Sequence, residues 1–287
     1  MQDSRAEKVF YFFNYLLLGL FACITLYPFL YVLSASISTP QAVVTGEVLL
    51  FPKGITWEAY NSVFAEKGIW IGYANTLFYT IVGTLVSMIL TICGAYPLSK
   101  KRLKGRTAIN LIISFTLIFS AGMIPLYLNF KSLGLLDSRF GIIIGFAIST
   151  FNFVILRTFF QSIPDEIEEA ARIDGAGDVG VLMKIILPLS KASLATIALF
   201  YAVSRWNGYF WAMILLHDER KFPLQVLLNR LVVQMKPTDD MLNDVAFTTG
   251  ETVIYATIVV AIIPIIAVYP FIQKYFVKGV MIGSLKG

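Results

Sequence analysis

The sequence predicts an all-α polytopic membrane protein with six transmembrane helices, and three observations carry that expectation. Only 14% of the 287 residues are charged, where a soluble domain carries about a quarter. The mean hydropathy is +0.74. The charges are clustered: residues 9–46, 68–99, 107–130, 140–156 and 252–273 hold no Asp, Glu, Lys or Arg, and 192–216 is interrupted once, by Arg205. A helix needs roughly 20 apolar residues to cross a bilayer core, and every run meets or approaches that length. The expected organisation is one transmembrane domain over 1–287, with spans at about 9–35, 69–99, 107–130, 139–161, 192–216 and 252–274 and a polar loop at 162–190.

The first segment resembles a signal peptide in position only. Its apolar stretch is too long and its polar flank too nearly neutral, so it is read as a retained span. Orientation follows from the loop after the second span, "KKRLKGR" at 100–106, which has five basic residues and no acid, and from a tail with Lys274, Lys278 and Lys286. The positive-inside rule places both in the cytoplasm. With an even number of spans, both termini then lie inside, 36–67, 131–139 and 217–251 lie outside, and 162–190 faces the cytoplasm. The outer segments "DERKFPLQ" at 218–225 and "KPTDDMLND" at 236–244, and Pro52, Trp57 and Tyr60 in the first outer loop, suit either a partner-facing surface or a solvated connection.

Several chemistries lack their residues. Cys23 and Cys93 fall in expected spans and read as small apolar side chains rather than a disulfide. His217 is the one histidine, with no second ligand near it in sequence, so no metal site is expected. The chain has no Gly-x-x-x-x-Gly-Lys-Ser/Thr phosphate loop, which argues against ATP hydrolysis by this chain. The net charge of +5 follows from topology and calls for no nucleic acid. The expected spans contain no acid, against a membrane-embedded enzyme. A secondary transporter would show an internal repeat or a broken, ion-binding span, and the sequence displays neither.

The loop 162–190, "SIPDEIEEAARIDGAGDVGVLMKIILPLS", is the anomaly. Ser162 and Asp165 have the spacing of a capping box, Pro164 suits a first turn, and Asp165, Glu166, Glu168 and Glu169 crowd the positive end of a helix dipole. A helix outside the bilayer is expected here, with Ile167, Ala170 and Ala171 forming a narrow face of small side chains. Gly175 and Gly177 would end it, and a second helix over about 179–187 would leave at an angle and stop at Pro188. Such a helix–turn–helix suits docking into a partner's groove, or is a capped, solvated loop.

Glu169-Ala170-Ala171, Asp174-Gly175 and Ile185-x-Leu187-Pro188 resemble the EAA loop of bacterial ABC-importer permeases. "YANTLFYT" at 73–80, "GAYPLSKKRLKGR" at 94–106, "IPLYLNFKSLGLLDS" at 124–138 and "WNGYFWAMILL" at 206–216 are similar to the binding-protein-dependent oligosaccharide permeases. These are the maltose-permease class, and the similarity is to its complex-polysaccharide and aldouronate branch. The resemblance covers nearly the whole chain. It implies a type I ABC importer permease fold with a cytoplasmic coupling helix, in the bacterial inner membrane. The implied partners are a second permease subunit (a distinct chain, or else a second copy), two ATP-binding subunits that bind ATP and magnesium, and an extracytoplasmic solute-binding protein. By the same resemblance, Glu169, Ala170, Ala171, Asp174, Gly175, Leu187 and Pro188 couple to the ATPase, and closure of the ATPase dimer drags spans three to five. The chain itself would be non-catalytic and hold no cofactor. A permease for another solute is the alternative.

Substrate contacts are sought among Arg205, Trp206, Asn207, Tyr209 and Trp211, which offer aromatic faces and hydrogen-bonding groups within one span. They suit a saccharide pathway or, equally, packing and an interfacial belt. A charge inside a span is costly and aims at a cavity or partner. Two readings of Arg205 stay open: it meets the carboxylate of a uronic oligosaccharide, or it caps backbone carbonyls or pairs with the companion permease.

Overall fold

The structure, a computed structural model, describes residues 5–234, 250–267 and 270. The end of the sixth expected span, the three tail lysines and the 236–244 segment lie outside the described residues. Every regular element among the described residues is helical: α1 (Arg5–Ser36), α2 (Pro40–Val44), α3 (Glu58–Ala65), α4 (Lys67–Ser99), α5 (Arg106–Ile118), α6 (Met123–Ser132), α7 (Arg139–Gly145), α8 (Thr150–Gln161), α9 (Asp165–Ile173), α10 (Asp178–Leu189), α11 (Lys191–Trp206), α12 (Phe210–Leu215), a 3-10 turn at Glu219–Lys221, α13 (Leu224–Gln234) and α14 (Gly250–Ala267).

Among the described residues, three helices are each long and apolar enough to cross a membrane: Glu7–Ser36, Lys67–Ser99 and Gly250–Ala267. The count reaches six if each bent helix pair crosses once. The bends correct the expectation of unbroken spans. Between α5 and α6 the axis turns by 120°, and between α7 and α8 by 48°. The fifth expected span stops at Trp206 and restarts at Phe210. The α5–α6 break has a local cause: Gly122 sits at φ +85°, a conformation that other residues rarely adopt. The thirteen residues of α5 rise only about 20 Å.

The chain forms two compact units, Met1–Trp70 with Leu228–Pro264, and Ile71–Leu227 with Ile265–Gly287. In the first, Ala35, Ala42, Val43 and Val48 are buried together, and Tyr31 meets Tyr255 edge-to-face with ring centroids 5.7 Å apart. The 37–56 segment is tied back to the end of α1: the Ser34 hydroxyl donates to Leu50 O (2.6 Å), the Thr56 N–H to Ile37 O (3.0 Å), and Ser36 and Tyr60 share a hydrogen bond. The 37–56 segment is therefore folded against α1 rather than a loose connection.

Among the described residues, the second unit has two cores. One gathers Ala95, Leu98, Leu156, Phe160, Val181, Ile186 and Ile197. The other gathers Tyr79, Phe130, Ile142, Leu215, Phe222 and Val226. Each depends on a glycine: a Cβ on Gly94 would lie 2.7 Å from the Phe153 ring, and one on Gly145 only 2.1 Å from the Phe130 ring. Cys23 and Cys93 are free thiols.

Candidate functional site

The loop 162–190 folds as the expected pair of helices, with differences in detail. The capping box does not form. Ser162 instead closes α8, with its N–H bonded to Thr158 O and Phe159 O and its hydroxyl donating to Phe159 O. Only Ile163 and Pro164 then separate α8 from α9, and Pro164 stands at the cap of α9 without a side-chain hydrogen bond. The acids still crowd the first turn, where the dipole favours them.

The expected small-residue face of Ile167, Ala170 and Ala171 is divided, with Ile167 and Ala170 exposed and Ala171 turned inward. The buried companion of Ala171 is Glu168. A carboxylate leaves water only with a partner, and Lys100 supplies it: the Glu168–Lys100 ion pair has both side chains more than nine-tenths buried. Lys100 also lies over the Tyr96 ring at 5.0 Å. Exposed ion pairs flank it: Lys101–Asp165 at 3.9 Å, Arg102–Asp178 at 2.6 Å, and Arg172–Asp178. The Arg172 and Arg102 guanidiniums hold the Asp178 carboxyl below its ordinary range. Three cations of the basic run 100–106 thus bind the acids of α9 and α10. Sequence alone offered a partial signal, a basic cluster at 100–106 and an acidic one at 165–169.

Glu169, Ala170 and Asp174 point outward and are exposed, as are Ile173 and Val179. Gly175 has φ +85° and makes the turn; Gly177, at φ −73°, does not need a glycine conformation. The second helix runs past Pro188 to Leu189 rather than stopping before it. It does so through a π turn at Leu182–Ile186, in which the Leu187 N–H bonds to Leu182 O. Pro188 has no N–H for the fourth carbonyl back, and the widened turn accommodates that loss. Leu187 is half-buried against the first core while Pro188 is exposed. At Ser190 the chain bends by 84° into α11.

Away from this loop, a cavity of about 500 Å³ lies against the break between α11 and α12. Arg205, Asn207, Tyr209 and Trp211 line it, together with Ser149, Asn152 and Tyr201, which were not singled out in sequence. Trp206 does not; it is buried with its ring edge-on to Tyr73. Arg205 is committed to main chain: its guanidinium donates to Ile142 O (2.7 Å), Ile143 O (2.9 Å) and Phe146 O (2.7 Å), and to the Ser87 hydroxyl at 3.3 Å. It caps the carbonyl end of α7, where a cation is favoured. Gly83 makes room, since a Cβ there would stand 3.1 Å from Arg205 Nε. The cavity wall is therefore aromatic, hydroxyl and amide, with Arg205 facing its carbonyls.

At the far end of α4, the 217–224 segment is pinned rather than loose. Asn75 Nδ2 donates to Arg220 O and Phe222 O, the Tyr79 hydroxyl to Lys221 O, and Thr76 Oγ1 accepts the Leu224 N–H. Asp137, at φ +50°, accepts the N–H groups of exposed His217 and of Asp218.

The comparisons agree with this architecture. Residues 1–282 match the family described as "Binding-protein-dependent transport system inner membrane component". Protein LplC of Bacillus subtilis (strain 168) is 42% identical over 297 residues, covering 100% of this chain and 98% of that one. The polygalacturonan/rhamnogalacturonan transport system permease protein YtcP of the same organism is 43% identical over 284 residues, covering 98% and 99%. A chain in the crystal structure of a bacterial ABC transporter involved in the import of the acidic polysaccharide alginate superposes with a TM-score of 0.89 at 49% identity, covering 96% of this chain and 99% of that one. With an all-helical fold, apolar spans and these matches, the chain belongs to the binding-protein-dependent transport system inner membrane components and has the type I ABC importer permease fold.

Proposed function

We propose that the chain is a permease subunit of an ATP-driven importer that takes up oligosaccharides, including acidic, uronic ones, delivered by a solute-binding protein outside the membrane. The observation that carries this reading is the turn at Gly175: an exposed acidic and small-residue tip, Glu169 to Gly175, held on a buried base at Glu168 and Ala171. In this reading the tip sits in a cleft of a cytoplasmic ATPase, Glu169 meets a basic or donor group there, and Ala170 allows close approach. ATP and magnesium belong to two ATPase subunits. A second permease subunit completes the pathway, and both termini are cytoplasmic.

The saccharide assignment draws on the aromatic and amide wall of the cavity, and on relatives named for polygalacturonan, rhamnogalacturonan and alginate transport. Aromatic faces and amide or hydroxyl groups are the groups that hold sugars. The engagement of Arg205 with three carbonyls favours its capping role over direct pairing with a uronate.

The test is co-purification with candidate ATPase and permease partners, followed by ATP hydrolysis with a binding protein loaded with neutral or uronic oligosaccharides. Stimulation that disappears on Glu169→Ala supports the assignment. A well-folded chain that binds no ATPase overturns it.

A further inference from the structure

We infer that the second span is a driven element, linked to the coupling helix by the buried Lys100–Glu168 pair and carrying its displacement to the cavity and to the segment 217–224. The inference rests on the coupling role proposed for the 162–190 loop and extends it to a span that the loop does not adjoin in sequence.

The chain of contacts is continuous. Lys100 follows directly on α4, and its partner Glu168 precedes Glu169 at the exposed tip. Thirteen residues up the same helix, about 20 Å, Ser87 accepts from Arg205, and Gly83 packs against that guanidinium. Tyr79, a further turn on, lines the cavity and donates to Lys221 O. Thr76 and Asn75 then hold Leu224, Phe222 and Arg220. Pro97 removes one hydrogen bond from the last turn of α4, yet the helix continues through it from Lys67 to Ser99, so a push at Lys100 reaches each of these contacts.

Burial decides which of the ion pairs transmits. In Lys101–Asp165 and Arg102–Asp178 every side chain is more than half exposed, and such pairs are weak and screened. Lys100 and Glu168 are 9% and 8% exposed; neither can leave the other without stranding a buried charge.

The experiment uses the complete transporter in proteoliposomes, with Cys23 and Cys93 replaced by Ala and Ser204→Cys as a cavity reporter for a membrane-impermeant maleimide. The neutral pair Lys100→Met with Glu168→Gln removes both charges together. It is expected to retain its ATPase subunits, while ATP-dependent labelling slows and ATP consumed per molecule transported rises, each about tenfold, within the usual range of coupling between sites. The inverted pair Lys100→Glu with Glu168→Lys should recover most of that loss. A neutral pair that labels and transports like the unaltered chain overturns the inference. Should the neutral pair fail to assemble, spin labels at Lys101 and Glu166 in the otherwise unaltered pair decide: a separation constant through the ATP cycle supports the link, and a change of about one helical turn, ~5 Å, overturns it. If the unaltered chain binds no ATPase, the coupling reading falls and takes this inference with it; if it binds and the neutral pair couples normally, only this inference falls.

Discussion

Lys221 grips Asp137 by two of its oxygens, with the ammonium 2.6 Å from carboxylate Oδ2 and 2.8 Å from the main-chain carbonyl. The other carboxylate oxygen accepts the N–H of Asp218 and of His217. Those contacts, the Asp218 N–H foremost, hold the Asp137 carboxyl well below its ordinary range. A carboxyl depressed on folding contributes stability that is full above its unfolded pKa, near 4, and is lost as pH falls toward the folded value. Asp137→Asn should cost about 1–3 kcal/mol at neutral pH. Thermal unfolding of both proteins should show the same gap at pH 7 and pH 5 and a smaller gap at pH 3. A gap independent of pH would mean that the charge is irrelevant.

At the turn between α9 and α10, the two glycines should behave differently. Gly175 is left-handed with no neighbour within 4 Å of an added Cβ, so Gly175→Val meets backbone strain of about 1–2 kcal/mol rather than a collision. The spans should stay folded while substrate-stimulated ATP hydrolysis collapses. Gly177→Ala, in an ordinary conformation with equally open surroundings, should leave hydrolysis near the unaltered rate. Equal losses in both would show that size, not conformation, matters at this turn.

Removing the Arg205 guanidinium uncaps three carbonyls. Arg205→Met should destabilise the chain by about 2–4 kcal/mol, and Arg205→Lys should recover little, because a point charge cannot serve several carbonyls as a planar fork does. Transport by Arg205→Gln, where enough protein folds, should keep the ratio of uronic to neutral oligosaccharide. A selective loss of uronic transport would restore the direct carboxylate contact.

Phe130 occupies the space above Gly145. Gly145→Ala should destabilise by about 1–3 kcal/mol through overpacking, and Phe130→Leu should relieve part of it, so that the double variant is more stable than the sum of the singles implies. Strict additivity in chemical or thermal unfolding would show that the two sites do not press on each other.

The helices of this chain were legible because hydrocarbon excludes charge. Lys67 and Lys100, and Arg106 with Lys131, bracket helical stretches within a residue or so of where the structure begins or ends them. The breaks were not legible by the same rule. Residues 119–122 read Phe-Ser-Ala-Gly and 207–209 read Asn-Gly-Tyr, uncharged like their flanks, so only conformation distinguishes them. Gly175 was legible, since a glycine closing an acid-led helix has few other roles. Which acid turns inward was not: Glu168 and Glu169 are adjacent and alike, and the choice is made by Lys100, 68 residues away in sequence. The Arg205 readings diverged for the same reason, because its acceptors are main-chain atoms that no side-chain pattern reveals.

The π turn at Leu182–Ile186 absorbs a residue. A widened turn holds one residue more than an α-helical one over nearly the same rotation, so deleting Met183 would leave the flanking turns close to their present phase, with Asp178 still near Arg102 and the tip at Gly175 facing the same way. What it would remove is the room around Pro188, whose ring would then press on the fourth carbonyl back. A residue lost from the regular turns of α11 would act in the opposite manner, turning everything on its amino-terminal side by about 100° and with it the tip. The aim of that tip is thus written into a count of residues, and the widened turn is the one place where the count can change without changing the aim.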